Sequence, residues 1–200
     1  MKKLLLAVVA VLLVASCSTK KDSLVVKAGD GTKVRLEVVT DDIVRVSAVP
    51  AGERFSTKES LCVVPQDGNP GYSVEKNAGA YTLRTGSLVV TVSRSDGRVT
   101  FADTLGNVLT SEDSRSFAPI EVEGDKGWTV QQTFFSPEDE AFYGLGQHQA
   151  DEWNYKGRNE ELYQYNTKIS VPFIVSSKGY GILWDSYSFC RWGDPRDYAQ

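Results

Sequence analysis

Apolar and polar residues alternate with a period of two along much of the first 135 positions of this chain. Lys33-Val34-Arg35-Leu36-Glu37-Val38 alternates strictly, and Ile43-Val44-Arg45-Val46-Ser47-Ala48 repeats the pattern after the turn residues Asp41-Asp42. Each run has one apolar and one polar side, as antiparallel strands with a single buried face require. The runs 81–85 and 88–94 flank Gly86-Ser87, which predicts a two-residue hairpin turn. Asp96-Gly97 turns into Arg98-Val99-Thr100-Phe101, Gly106-Asn107 turns into a further short segment, and residues 128–135 alternate again. No stretch before residue 136 carries apolar residues at helical spacing. These elements predict an all-β fold, an antiparallel β-sandwich.

Other segments read as connections or as more deeply placed strands. Residues 50–71, rich in Pro, Gly and charge, predict the longest loop. Ser136-Pro137-Glu138-Asp139-Glu140 has the residues to begin one helical turn, with Ser136 as cap and Pro137 at the first position. Residues 171–175 and 180–185 predict a hairpin around Ser177-Lys178-Gly179, in which Gly179 supplies a positive φ. This hairpin is apolar on both faces, which predicts burial on both sides.

The N-terminus follows a different pattern. Residues 1–16, MKKLLLAVVAVLLVAS, set two lysines before an apolar run that ends in small residues. That predicts a signal peptide, too short to span a membrane. Val14-Ala15-Ser16-Cys17 resembles a bacterial lipobox, which implies lipidation of Cys17 as the first mature residue; an ordinary cleaved signal with an incidental Cys is the alternative. Ser18 rather than Asp follows the Cys, which in that resemblance points to the bacterial outer membrane, or otherwise to a lipid-anchored periplasmic location. Residues 17–23 would then be the lipidated Cys and its tether, and 24–200 the sandwich domain.

Composition narrows the partners. Two hundred residues, 41% hydrophobic and 10% aromatic, are enough for one domain with a real core. The formal charge is −4, or −6 once Lys2 and Lys3 leave with the leader, and no basic stripe remains. Nucleic acid is thereby excluded as a partner. Cys17, Cys62 and Cys190 with a single His cannot complete a four-ligand zinc site, so neither a metal nor a cofactor is implied. With Cys17 lipidated, Cys62 and Cys190 either pair in an oxidising compartment or stay separate thiols.

Candidate chemistry concentrates in residues 142–186, which hold two of the four Trp, five of the nine Tyr and the only His. Gly144-Leu145-Gly146 lacks the third glycine and the strand-helix context of a dinucleotide loop. His148 has no nucleophile and orienting acid in a familiar local pattern, which favours a structural role. Asp151, Glu152, Glu160 and Glu161 are either paired acids or a solvated face. Trp153, Tyr155, Tyr163 and Tyr165 suit stacking on sugar rings or packing against a neighbouring domain.

Several pieces together resemble a known family. They are Phe142-Tyr143-Gly144-Leu145-Gly146-Gln147, Tyr165-Asn166-Thr167, Val171-Pro172-Phe173 and Ser176-Ser177-Lys178-Gly179-Tyr180-Gly181-Ile182-Leu183-Trp184-Asp185. The combination resembles the N-terminal, galactose-mutarotase-like β-sandwich of glycoside hydrolase family 31. The tail Arg191-Trp192-Gly193-Asp194-Pro195-Arg196-Asp197-Tyr198 is similar to bacterial α-xylosidases of that family, where it precedes an inserted lectin-like module and a (β/α)8 barrel. The resemblance implies a retaining mechanism with two Asp about 5 to 5.5 Å apart, both on the barrel, and hence no catalytic residue in this chain. It also implies that Asn166 and Thr167 contact substrate, with Asn where α-glucosidases often have an acid. The expected function is thus the non-catalytic part of an α-xylosidase acting on plant-type oligosaccharides. Its partners are the oligosaccharide, the barrel of the same chain and a membrane reached only through the lipid. The alternatives are an α-glucosidase of the same family and a free carbohydrate-binding surface lipoprotein.

Overall fold

The structure is a computed structural model that describes residues 23–193 apart from 65, 67–69 and 150–152. Cys17, Asp151, Glu152 and the tail from Asp194 lie outside the described residues. The alternating runs become strands where they were expected. β1 (Ser23–Lys27), β2 (Lys33–Thr40) and β3 (Ile43–Val49) form a three-stranded antiparallel sheet. β4 (Ser73–Lys76), β5 (Ala80–Arg84), β6 (Leu88–Ser93), β7 (Val99–Asp103), β8 (Val108–Val122) and β9 (Asp125–Phe135) then form a six-stranded meander in chain order. Val26, Val34 and Leu36 of the first sheet meet Leu83, Val90, Val92 and Val99 of the second in one buried core. Each such side chain contributes about 1.5–3 kcal/mol by leaving water, which holds the two sheets face to face.

A second, smaller unit follows. β10 (Phe142–Gln147), β12 (Ile169–Ser176) and β13 (Gly181–Leu183) make a three-stranded sheet, while β11 (Glu160–Leu162) pairs with β14 (Cys190–Trp192). Its core is Phe142, Leu145, Tyr155, Leu162 and Ile174. The register of β10 on β12 slips between Gly144 and Gly146, and this bulge turns Leu145, at φ 65°, fully inward. A Cβ on Gly146 would stand 2.1 Å from the carbonyl oxygen of Ile169, so only glycine allows that approach.

The two units are joined at one buried and one half-buried carboxylate. Glu140, 2% exposed, accepts hydrogen bonds from the Ser136 hydroxyl at 2.6 Å, the Tyr180 hydroxyl at 2.6 Å and the Ser176 hydroxyl. Asp185 accepts from Arg45 on β3 at 2.9 Å, from Ser60 in the long loop at 3.0 Å and from Tyr187 at 2.9 Å. Asp185 thus ties the expected long loop to the second unit at the point where Arg45 links the two units.

One expectation changes and two open readings resolve. The 136–140 segment closes a single turn through Glu140 N–H and the Pro137 carbonyl at 3.1 Å and forms no helix, because the Glu140 side chain is drawn into its buried site. Cys62 and Cys190 are both free thiols. The β12–β13 hairpin turns at Gly179, φ 85°, but is buried on one face only. Ile174 and Ile182 pack inward, whereas Tyr143, Val171, Phe173, Val175 and Leu183 are exposed, since among the described residues nothing covers that side.

Glu140 generates a pH prediction. Burial pushes its carboxyl upward, but the bonds from Ser136, Ser176 and Tyr180 and the nearby Lys156 outweigh that and hold it below the ordinary value of 4.5. Burial, then the hydrogen bond to Glu140, pushes the Tyr180 hydroxyl up to about 12, so it remains a donor throughout. A lowered folded-state value stabilises the fold above the unfolded-state value, and this contribution disappears as pH falls through the folded one. Urea unfolding followed from neutral pH down through the acid range should show this loss, and Glu140→Gln should be less stable at neutral pH with a flatter acid limb.

Candidate functional site

Asn166 and Thr167 occupy the tip of a tight turn. Tyr165 and Lys168 pair as a β-bridge, with the Lys168 N–H donating to the Tyr165 carbonyl at 3.1 Å. Thr167 is at φ 76°, the position where a type II turn favours glycine. A β-branched residue there is strained, on the order of 1–3 kcal/mol, and persists only where its surroundings hold it. Both tip residues are exposed, and neither side chain hydrogen-bonds any described residue. Asn166 therefore does not close the turn on its own backbone, and its amide stays available as both donor and acceptor.

Two fastenings below the tip hold the turn. The Gln164 side chain bonds both backbone groups of Ser170, at 3.0 and 3.2 Å, and the Ser170 hydroxyl donates to the Tyr163 carbonyl at 2.9 Å. Lys168 is only 8% exposed. Its ammonium donates to Glu160 and to the Glu161 carbonyl and lies 5.1 Å from the Tyr163 ring centre. A buried, paired charge one residue from an exposed polar tip gives a rigid base to a site that faces outward.

The other candidate residues separate. His148 is structural: its buried ring donates from Nε2 to the Leu145 carbonyl at 2.6 Å, with Nδ1 3.2 Å from Glu160. Glu160 belongs to Lys168, and Glu161 lies 3.3 Å from Arg191, so the two are not a pair of catalytic acids. Tyr155, read as a possible sugar platform, is buried in the second core beside His148. Trp153 is 86% exposed, outside both buried cores. Tyr163 and Tyr165 do stack, with centroids 5.2 Å apart and planes at 23°, and Phe189 leans on Tyr163 at 6.0 Å. Among the described residues, no group of three or more His, Cys, Asp or Glu is placed to hold a metal ion.

Lys168, Gln164 and Phe189 are the residues that sequence reasoning missed. A lysine at the start of an apolar strand was a signal for a buried pair, but its partner Glu160 is eight residues away across a loop.

Residues 33–192 match the model of the glycosyl hydrolase 31 N-terminal galactose mutarotase-like domain. The chain belongs to this family. It is 35% identical over 165 residues to an α-xylosidase of Saccharolobus solfataricus, covering 78% of this chain and 22% of that protein. The crystal structure of a family 31 α-xylosidase from Xanthomonas citri superposes with a TM-score of 0.82 at 46% identity, covering 88% of this chain and 19% of that one. A family 31 α-xylosidase from a soil metagenome, solved with xylose, gives 0.73 at 28% identity over 85% of this chain and 28% of that one. The chain thus spans between 19% and 28% of the length of these relatives. An N-terminal domain of this family is not by itself the catalytic domain.

Stability and site function are separable here. Lys168→Met leaves Glu160 without its buried cation and should cost about 2 kcal/mol or more in chemical unfolding. Asn166→Ala, at an exposed tip that bonds no described residue, should leave the melting temperature unchanged within error.

Proposed function

We propose that this chain is the N-terminal part of an exported retaining α-glycosidase, an α-xylosidase acting on plant-type oligosaccharides, and that Asn166 and Thr167 touch the sugar on the leaving-group side. The observation that carries the reading is Thr167: a β-branched residue held at φ 76° beside an unbonded amide, on a turn fastened from below. Backbone strain of this kind collects at ligand-contacting sites. The names of the relatives supply the substrate class. Nucleophile and acid come from a barrel beyond this chain, and the exposed apolar face of Tyr143, Val171, Phe173, Val175 and Leu183 suits packing against such a neighbouring domain.

In the complete enzyme, Asn166→Ala and Thr167→Ala each remove a neutral hydrogen bond worth about 0.5–1.5 kcal/mol, a two- to tenfold loss in kcat/KM. The loss should appear on disaccharides and be small on aryl glycosides, whose leaving group lacks the sugar hydroxyls. Thr167→Gly should relieve the turn, raising the melting temperature while lowering kcat/KM on disaccharides. Equal losses on both substrate types, with a lower melting temperature, would assign the pair to folding.

The reading includes removal of residues 1–16 and lipidation of Cys17, which anchors the protein at the outer membrane or on the periplasmic side. Mass spectrometry of the mature N-terminus should find acyl groups on Cys17, and Cys17→Ser should move the protein to the soluble fraction. An unmodified Cys17 in membrane-retained protein would refute the anchor.

A further inference from the structure

The Tyr163–Tyr165 stack and Phe189 lie beside the Asn166-Thr167 tip, and their exposed surface differs in kind from the other uncovered apolar face. The β10-β12-β13 face is broad and largely aliphatic, through Ile169, Val171, Val175 and Leu183, as a surface that meets protein would be. The aromatic cluster is narrow and interleaved with exposed polar groups: Gln164, Asn166, Thr167 and Ser188. Its rings are also backed by cations, Lys168 at 5.1 Å from the Tyr163 centre and Arg191 at 5.3 Å from the Phe189 centre. Tyr165 and Phe189 are the outer members, 52% and 54% exposed, while Tyr163 sits between them and above Lys168.

Flat rings with hydrogen-bonding groups at their rim match a pyranose, which offers a C–H face for stacking and hydroxyls around its edge. Each feature alone is common; their combination at one loop is what selects a sugar over an apolar partner. The cluster is also held in place. Tyr163 and Tyr165 flank Gln164, whose two bonds to Ser170 close the neck of the loop, and Lys168 sits under the Tyr163 ring. A platform that does not have to be ordered on binding loses less of its contact energy to entropy.

The geometry points to Tyr165 and Phe189, on either side of Tyr163, as the two ends of one aromatic floor for a further sugar subsite, one ring beyond the sugar that meets Asn166 and Thr167. It takes the next neutral pyranose of an oligosaccharide leaving group. This inference deepens the proposed function and relies on it for the direction in which the substrate runs. It makes Tyr165 and Phe189 determinants of chain-length preference, through binding alone.

The test is steady-state kinetics of the complete enzyme on a disaccharide, the corresponding tri- and tetrasaccharides and an aryl glycoside, with Tyr165→Ala, Phe189→Ala and Asn166→Ala compared. Tyr165→Ala and Phe189→Ala should raise KM for the tri- and tetrasaccharides roughly three- to tenfold, the span of one lost stacking contact, with kcat unchanged. Disaccharide and aryl glycoside kinetics should stay at the level of the parent enzyme. Tyr165→Phe keeps the ring and should restore the longer-substrate KM, which a purely structural hydroxyl would not permit. If Asn166→Ala impairs disaccharide hydrolysis while both aromatic variants treat all chain lengths as the parent does, the subsite is wrong and the proposed function stands. If Asn166→Ala is silent but the aromatic variants lose long substrates, the cluster binds sugar and the Asn166 reading fails. Aromatic variants that lose all substrates in proportion, with a lower melting temperature, would assign the cluster to domain packing and overturn the inference.

Discussion

The buried carboxylate of Glu140 is the constraint on which the placement of the site depends. A carboxylate out of water is costly unless its oxygens are bonded, and here three hydroxyls converge on it, from Ser136, Ser176 and Tyr180. Ser136 directly follows the end of β9, while Ser176 ends β12 and Tyr180 precedes β13. Satisfying one side chain therefore fixes where the small sheet starts relative to the end of the six-stranded meander. Asp185 repeats the device on the other side of the hairpin, joining Arg45 of the first sheet and Ser60 of the long loop. Breaking the Glu140 cluster leaves a buried charge unpaired, and breaking the Asp185 cluster a half-buried one, so the two units hold their relation by avoiding a penalty as much as by gaining an attraction.

From that frame the loop after β11 is built with its rigidity graded outward. Lys168 and Glu160 are buried together, Gln164 and Ser170 close the neck, and Thr167 stands strained at the tip. The bulge at Gly144 and Gly146 adds to this base by sending Leu145 into the core beneath, where its carbonyl also takes the His148 ring proton. Strain at the tip can persist because relaxing it would disturb the anchored residues on either side. Polar side chains with no partner among the described residues are thus held in one geometry, which is what a contact to a hydroxylated ligand needs.

Much of the fold was legible in the residues. Strand alternation is a local property, so β2, β3, β5, β6, β7 and β9 could be read from their own side chains, and the turn residues between them marked the hairpins. The short strands β4, β11 and β14 were not readable, since three or four residues carry too little pattern and their pairing is decided by distant partners. The candidate tip, Asn166-Thr167, came from resemblance; its strain and lack of partners came only from the structure. Among the aromatics, composition could not separate Tyr155, which is core, from Tyr165, which is surface, because both are single tyrosines in polar surroundings.

The sequence by itself determined that this is a β protein with an aromatic loop late in the chain, because periodicity, turn chemistry and residue type act over a few neighbours. Tertiary structure decided which groups were spent on holding the fold. Glu140, Asp185, Lys168 and His148 are all polar residues that a linear reading leaves open for chemistry, and each is committed within the fold, the first three to partners from other segments and His148 to the Leu145 carbonyl three residues before it. The same distinction settles the hairpin of β12 and β13: both of its faces are apolar in sequence, yet only one has a core to pack against. Burial depends on what lies opposite, and that is set by the meeting of strands far apart along the chain.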